Sequence, residues 1–413
     1  MTEHPPQDAP SRPATPRGFW VIWSTVALDQ IVFSMVLPVL PFLARRYGAS
    51  PLVVTALVSV FALAQFLVSP FVGALSDRVG RKPILVISLF GSAAGSLVLG
   101  LAGSLGVLFL GRAIDGLSGT ALVSAQTAIT DMVPAKQRAR YLGLLGSAFA
   151  VGFIVGPGLS ALASRWDERL PFFLAAGLGV LNAVVAIVRL PETRPEEDRR
   201  ALAEAHAFGS EDRSPLAAFR RAGALPPATW FYIGVLAVGL FAFSAVEGGT
   251  FTLLADDRFG FTASSIAAVF AWVGVVLALV QVYAVGPINA RAGVRGAAGL
   301  ALGVNAVGFT VVALAGQVWM LVLAVSLNAL GQGVLRPTCT SAVSNSAPPQ
   351  HRGLAIGTQT SAQGLVRIVG PLVAGLLYTS VGPGAPFAVG AGLVALAAAV
   401  VLREGRRYDA AVG

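Results

Sequence analysis

Charge is scarce in this chain of 413 residues. Only 12% are Asp, Glu, Lys or Arg, against roughly 25% in an average soluble domain. With 55% hydrophobic residues and 47 glycines, the chain holds more apolar surface than a soluble fold can hide, and abundant glycine is a trait of packed membrane helices. Cysteine is nearly absent as well: the single Cys339 excludes an internal disulfide framework. The three histidines, His4, His206 and His351, fall outside the apolar runs, and neither an HExxH pattern nor a Walker phosphate loop occurs. Zinc hydrolysis and nucleotide hydrolysis are thereby excluded. No enzymatic activity, cofactor or metal is expected. Met1 to Gly18 is polar, rich in Pro and without a cleavage-type signal, and reads as a cytoplasmic tail.

Apolar runs lie near 18–43, 51–75, 83–103, 106–128, 140–163, 170–190, 228–254, 263–288, 294–316, 317–342, 353–379 and 384–403. Each is close to the roughly 20 residues that one bilayer crossing needs. The expected fold is an all-α membrane protein of twelve transmembrane helices in two six-helix repeats. The expected divisions are a tail at 1–17, a first bundle at 18–190, a connector at 191–227, a second bundle at 228–403 and a tail at 404–413. The connector carries six Arg and seven Asp/Glu with few large apolar residues, too short and too polar for an ATPase domain.

Basic residues are retained on the cytoplasmic side of membrane proteins. With both termini inside, 21 Lys and Arg are cytoplasmic, five are external (Arg45, Arg46, Arg165, Arg169, Arg258) and three lie within spans. This distribution accounts for the net charge of +9 without any nucleic-acid partner. The expected partners are the cell-membrane bilayer, protons and a small-molecule substrate, with the chain acting as a monomer.

The halves repeat. Pro134, Arg138, Gly143, Gly156 and Pro157 recur 214 residues later as Pro348, Arg352, Gly357, Gly370 and Pro371. Gly73, Arg78 and Gly80 return after 213 as Gly286, Arg291 and Gly293. Parallel repeats of this kind place a pathway between the halves, near the bilayer midplane.

Between spans 2 and 3, GALSDRVGRK (Gly73 to Lys82) joins two turn glycines, one acid and three cations. This segment resembles the signature of the major facilitator superfamily. The resemblance implies a latch of Gly73, Asp77, Arg78, Gly80 and Arg81, in which Asp77 caps the N-terminus of helix 11 and Arg78 reaches Asp131 at the end of helix 4. An anion at a helix N-terminus gains about 0.3–1 kcal/mol. Ala290 replaces the acid in the second copy, so the latch is expected on one side only. In span 5, Gly152, Gly156 and Pro157 form a small-residue surface for close helix approach. This run resembles the glycine-proline signature of proton-coupled antiporters. MVLPVLPFLARRYGAS, LFLGRAIDGLSG and LPETR complete a resemblance over nearly the whole chain, nearest to twelve-span drug/proton antiporters including tetracycline exporters.

Charge within a span is costly and marks function by default. Six residues qualify: Asp29, Arg112, Asp115, Glu247, Arg336 and Arg367. Asp29, with Gln30 beside it, falls near mid-depth of span 1, where desolvation penalises the carboxylate as a proton carrier requires; it reads as a proton site or a cationic-substrate site, with a structural hydrogen-bonding role as the alternative. Tetracycline exporters carry an acid at the matching place. Arg112 and Asp115 share one face of span 4; they either neutralise each other or, as the resemblance implies for Arg112, take part in proton transfer. Glu247 precedes Gly248 and Gly249, a potential helix break that could gate or line the cavity. Arg336 and Arg367 either balance Asp29 and Glu247 across the halves or bind an anionic group on the substrate. Further cavity candidates are Gln65, Gln126, Asn305, Asn328 and Gln332, each also explicable as a helix-helix hydrogen bond. Tetracycline exporters have further acids in spans 3 and 9, whereas GSAAGSLVLG has none and LGVNAVGFTV offers only Asn305, which argues against tetracycline itself.

The expected function is secondary active transport by alternating access: proton-coupled antiport exporting a drug or secondary metabolite. Symport or facilitated diffusion of an anionic metabolite or lipid through Arg336 and Arg367 is the alternative, and a non-transporting membrane sensor is a third class.

Overall fold

The computed structural model describes residues 18–119, 121–133, 135–190, 192, 223 and 225–408. Of the expected tails and connector, residues 1–17, 193–222 and 409–413, with Pro191 and Ala224, lie outside the described residues. So does Pro134 of the repeat pattern. Every regular element among the described residues is helical.

The first pass is α1 (Phe19–Val36) and α2 (Leu40–Arg46), interrupted at 37–39, where Pro38 lacks the N–H that would continue the helix. Next come α3 (Pro51–Val79) and α4 (Arg81–Gly100). The fourth pass is two helices, α5 (Leu105–Ser118) and α6 (Ala121–Met132), separated at Gly119. Then α7 (Ala135–Ala163) and α8 (Leu170–Arg189) close the first repeat. In the second, α9 (Pro227–Glu247) and α10 (Thr250–Phe259) again make one broken pass. They are followed by α11 (Ala263–Leu279), a π-helical segment at Val280–Ala284 and α12 (Val285–Leu314). The repeat ends with α13 (Val318–Ser346), α14 (Arg352–Ser380) and α15 (Ala385–Glu404).

The run from Ala263 to Leu314 is 52 residues long, twice what a bilayer needs. It turns at Gly293, whose backbone stands at φ 65°, ψ 176°. Gly80, its partner in the repeat pattern, has φ 115°, ψ 162°. Both fall in a region that only glycine enters without strain, so the same reversal is cut into each half by the same residue. With this turn and the split fourth pass counted, there are twelve passes in two six-helix repeats. Four of the helices, α3, α7, α13 and α14, run to 29 residues, or about 43 Å against a hydrocarbon core of roughly 30 Å. They are longer than the apolar runs because polar turns at the Arg81 end continue them beyond lipid depth.

Within each repeat, glycines let helices touch backbone to backbone. A Cβ on Gly156 of α7 would lie 2.6 Å from the Ile31 carbonyl oxygen of α1 and collide with Ser34. In return, Ser34 Oγ donates to the Gly152 carbonyl at 2.8 Å and Ser160 Oγ to that of Met35 at 3.0 Å. Gly370 of α14 abuts Ser244 of α9 in the same way. Across the repeats, α3 packs on α14 and α7 on α11.

The buried apolar core is unequal along the bundle axis. At the end bearing Arg45, residues such as Met35, Leu43, Val54 and Phe172 of the first repeat share one continuous cluster with Phe251, Leu254 and Ala374 of the second. At the Arg81 end, Phe19, Leu85, Ile129, Tyr141 and their neighbours form a separate cluster of first-repeat residues alone. The halves are therefore welded at one end and individually packed at the other. Large apolar side chains such as Leu67, Phe71, Ile87 and Val188 remain exposed on the helices, as lipid-facing surfaces require.

Gly156→Val should lower stability by about 1–3 kcal/mol through overpacking, measured as a lower melting temperature in detergent. Gly158→Val, on the same helix with open space around it, should leave the transition unchanged.

Candidate functional site

In the first repeat the interior charges gather. Arg112 has no exposed surface (0%). Its Nη1 donates to Asp115 Oδ2 at 2.9 Å, its Nε to the Leu57 carbonyl at 3.4 Å, and its guanidinium lies 4.3 Å from the Phe61 ring centre. Its Nη2 makes no hydrogen bond. Asp115 also accepts from Ser92 Oγ at 2.7 Å. Asp29, partly buried, lies one helical turn before Phe33, whose ring stands 5.3 Å from that of Phe61. Asp29 is within electrostatic range of Asp115. A carboxyl thus lies near a buried ion pair, with the Phe33 and Phe61 rings close by.

The second repeat carries the same seam without the charge. Ser92, Gly95 and Asp115 correspond, 213 residues on, to Asn305, Gly308 and Asn328. A Cβ on Gly95 would lie 2.8 Å from Asp115 Cβ, and one on Gly308 would lie 2.9 Å from Asn328 Cγ. Arg112 corresponds to Val325. Close helix approach at this place needs glycine and a short polar side chain, and it does not need an ion pair.

Several cavity candidates are seam residues instead. Asn305 is fully buried between α12 and α13 against Gly331, and Asn328 Nδ2 bonds the Ala324 carbonyl at 3.0 Å. Gln332 donates to the Gly239 carbonyl at 3.0 Å, tying α13 to α9. Gln30 packs against Gly152, and Gln65 donates to the Gly119 carbonyl at the break in the fourth pass. Gln126 is exposed. Sequence position could not separate these from cavity residues, because a seam glycine lies on a different helix. Glu247 ends α9 at a true break: Gly248 abuts Pro371, and Gly249, at φ 96°, meets Pro41 and Val54 of the first repeat. Arg336 and Arg367 are exposed to solvent although they sit inside α13 and α14.

At the Arg81 end, Arg81 binds Asp131 through Nε at 3.1 Å, a contact in addition to the one expected from Arg78. The side chains of Asp77 and Arg78 lie outside the described residues. Gly73 continues α3, and Gly80 makes the turn. Arg81 Nη1 also reaches Ser76 Oγ at 3.2 Å. An unexpected carboxylate caps α4: Glu192 accepts the backbone N–H groups of Arg81 and Lys82 at 3.0 and 3.3 Å, from the LPETR segment after the sixth pass.

At the opposite end a cross-repeat lock appears that sequence reasoning missed. Arg45 Nη1 binds Asp256 at 2.8 Å, and its two terminal nitrogens hold Asp257 at 2.6 and 2.9 Å. Tyr378 of α14 donates to the same carboxylate, and Ser264 Oγ joins α11 to the Ala161 carbonyl at 2.7 Å. Burial works to raise the Asp257 carboxyl, but hydrogen bonds from Arg45 and Tyr378, with the charge of Arg45, outweigh it and hold the group below the usual carboxylate range. The stabilisation is therefore full above about pH 3.9, the ordinary Asp value, and is lost only as pH falls through the lower folded-state value.

Two outcomes follow. Arg45→Gln should raise thiol labelling of a reporter at the buried Thr252 (Thr252→Cys) several-fold, whereas acidifying the wild type to about pH 5 should not. Arg112→Val alone strands a buried carboxylate and should cost about 3–5 kcal/mol. Arg112→Val with Asp115→Asn, copying the second repeat, should recover most of that loss in a denaturation assay.

The family model for the Major Facilitator Superfamily matches residues 22–280 and again 236–411. Tetracycline resistance protein, class C, of Escherichia coli is 31% identical over 367 residues, covering 87% of this chain and 89% of that protein. Multidrug resistance protein 2 of Bacillus subtilis is 28% identical over 362 residues, or 87% and 88% of the two chains. The crystal structure of the human organic anion transporter TETRAN superposes with a TM-score of 0.68 at 25% identity, over 93% of this chain and 99% of its own. Membrane passes, duplicated halves and whole-length similarity agree: this chain is a multi-pass membrane transporter, not an enzyme, and it belongs to the Major Facilitator Superfamily.

Proposed function

We propose that the protein is a proton-coupled antiporter that exports small amphiphilic compounds by alternating access, with Asp29 as the proton carrier. The observation that carries this reading is the contrast between equivalent seams. The first repeat keeps a buried Arg112–Asp115 pair beside Asp29 where the second has Val325 and Asn328. Packing alone does not require that pair, and a buried pair left unneeded is a stability risk. Its retention suits a role in moving charge. The relatives named above act, by name, in resistance to tetracycline or several drugs and in transport of organic anions.

The basic loops favour the Arg81 end as cytoplasmic, so in this reading the welded end faces outward and the separately packed end faces inward. In the proposed cycle, substrate enters the inward cavity and the Arg45 lock opens as the repeats rock. Asp29 then takes an external proton and releases it to the cytoplasm before reloading. Gly73, Asp77, Arg78, Gly80, Arg81 and Asp131 would latch the cytoplasmic end in the outward form, and Gly152, Gly156 and Pro157 would keep α7 rigid against α1 while it rocks. One charge crossing 100 mV supplies about 2.3 kcal/mol, and at ~1.4 kcal/mol per tenfold one proton sustains a gradient of roughly 40-fold.

The test is accumulation in proteoliposomes under an imposed pH gradient, across a panel of lipophilic compounds. Asp29→Asn, and the paired Arg112→Val with Asp115→Asn, should lose gradient-driven accumulation at least tenfold while keeping downhill exchange. Full accumulation by Asp29→Asn overturns the coupling assignment.

A further inference from the structure

The export cycle, on which this inference rests, leaves the charges of the second repeat without a task. Neighbouring contacts fix where they point. On α13, Leu335 and Gln332 turn to α9 at Gly239, and Gly333 turns to Val280 beyond α11, so Arg336 projects between those helices toward the interface of the halves. On α14, Gly364 faces Phe66 of α3 and Gly370 faces Ser244 of α9. Arg367 lies between these two directions, again toward the first repeat. Arg336 is within electrostatic range of both Arg367 and Glu247.

Among the described residues, neither arginine makes a side-chain hydrogen bond or an ion pair. The contrast with Arg112 and Arg45, each held at 2.9 Å or less by a carboxylate, is direct. The charged group within electrostatic range of Asp29 is Asp115, in its own repeat. Two cations and one carboxylate, Glu247, leave one positive charge uncompensated between apolar helices, where low-dielectric surroundings focus the field. Guanidinium groups present planar forks that match carboxylate or sulfonate oxygens, and Phe66 supplies an apolar wall one turn from Arg367.

We propose that the cargo is an organic anion: an apolar body bearing a carboxylate or sulfonate, held by Arg336 and Arg367, while the proton travels separately on Asp29 in the other repeat. Substrate and proton then occupy different halves, and proton binding acts on the cargo through the change of conformation.

The probes are 1-pyrenesulfonate and 1-pyrenemethylammonium, which share one apolar body and differ in charge. Binding is measured by equilibrium dialysis against protein in phosphatidylcholine nanodiscs, with empty discs subtracted. The sulfonate should bind at least tenfold tighter than the ammonium. Arg336→Gln and Arg367→Gln should each weaken the sulfonate tenfold or more with unchanged melting temperature, and Arg367→Lys should restore part of the loss. Displacement of the sulfonate by phosphatidylglycerol added to the discs assigns the anion to a lipid headgroup; failure to displace it assigns a soluble anion. A wild type with no sulfonate preference, or a preference that survives both glutamine variants, overturns the proposal. A sulfonate preference without pH-driven accumulation overturns the coupling reading alone, and pH-driven accumulation of the ammonium without that preference overturns the cargo assignment alone.

Discussion

Hydrocarbon offers no water to rescue an unpaired polar group, and the whole molecule is arranged around that fact. Backbone groups are satisfied inside helices. Helices are held together by contact and not by exclusion of water, because lipid is as apolar as leucine. That is why Gly156 meets Ser34 and Gly370 meets Ser244 with no room for a methyl group. Interior charge is tolerated where it is paired, as in Arg112 with Asp115, or where solvent reaches it, as at Arg336 and Arg367.

The duplication supplies a skeleton, and divergence supplies the chemistry. Both halves break their first helix, at 37–39 and at 248–249, and both reverse at a glycine with positive φ, Gly80 and Gly293. The seams between third and fourth passes also match, down to the glycine and the polar residue opposite. Charge is what differs: an acid and an ion pair in one half, two open arginines and a glutamate in the other. Halves that share one core at the Arg45 end and keep separate cores at the other have the form that the proposed rocking requires.

Much of this was legible in the sequence. Length of apolar runs, the 213-residue offset and the glycine pairs predicted the passes, the turn at Gly293 and the break after Glu247. The exceptions have physical causes. Breaks inside a pass, as at Gly119, do not alter hydropathy, so α5 and α6 read as one run. Asn305 and Gln332 carry the residue types of a cavity, yet a glycine on a neighbouring helix closes over each of them or draws its hydrogen bond. The capping of α4 by Glu192 and the contact of Arg81 with Asp131 depend on how chain ends meet after folding. The Arg45 lock was hidden for the same reason: its partners lie 211 and 212 residues away.

That separation has a meaning of its own. Arg45 and Asp256 both lie on the short helix that follows the break in the first pass of their halves, so the ends that meet here are matching ends of the repeat. Two identical halves related by a twofold axis would bring each residue against its own copy, arginine to arginine or aspartate to aspartate, and the end would be forced apart. The closed state is therefore inaccessible to a symmetric pair of this kind. It exists because the two matching ends carry opposite charges, Arg45 on one and Asp256 with Asp257 on the other, and the same asymmetry makes a single fused chain, with a fixed first and second half, the form in which this seal can be inherited.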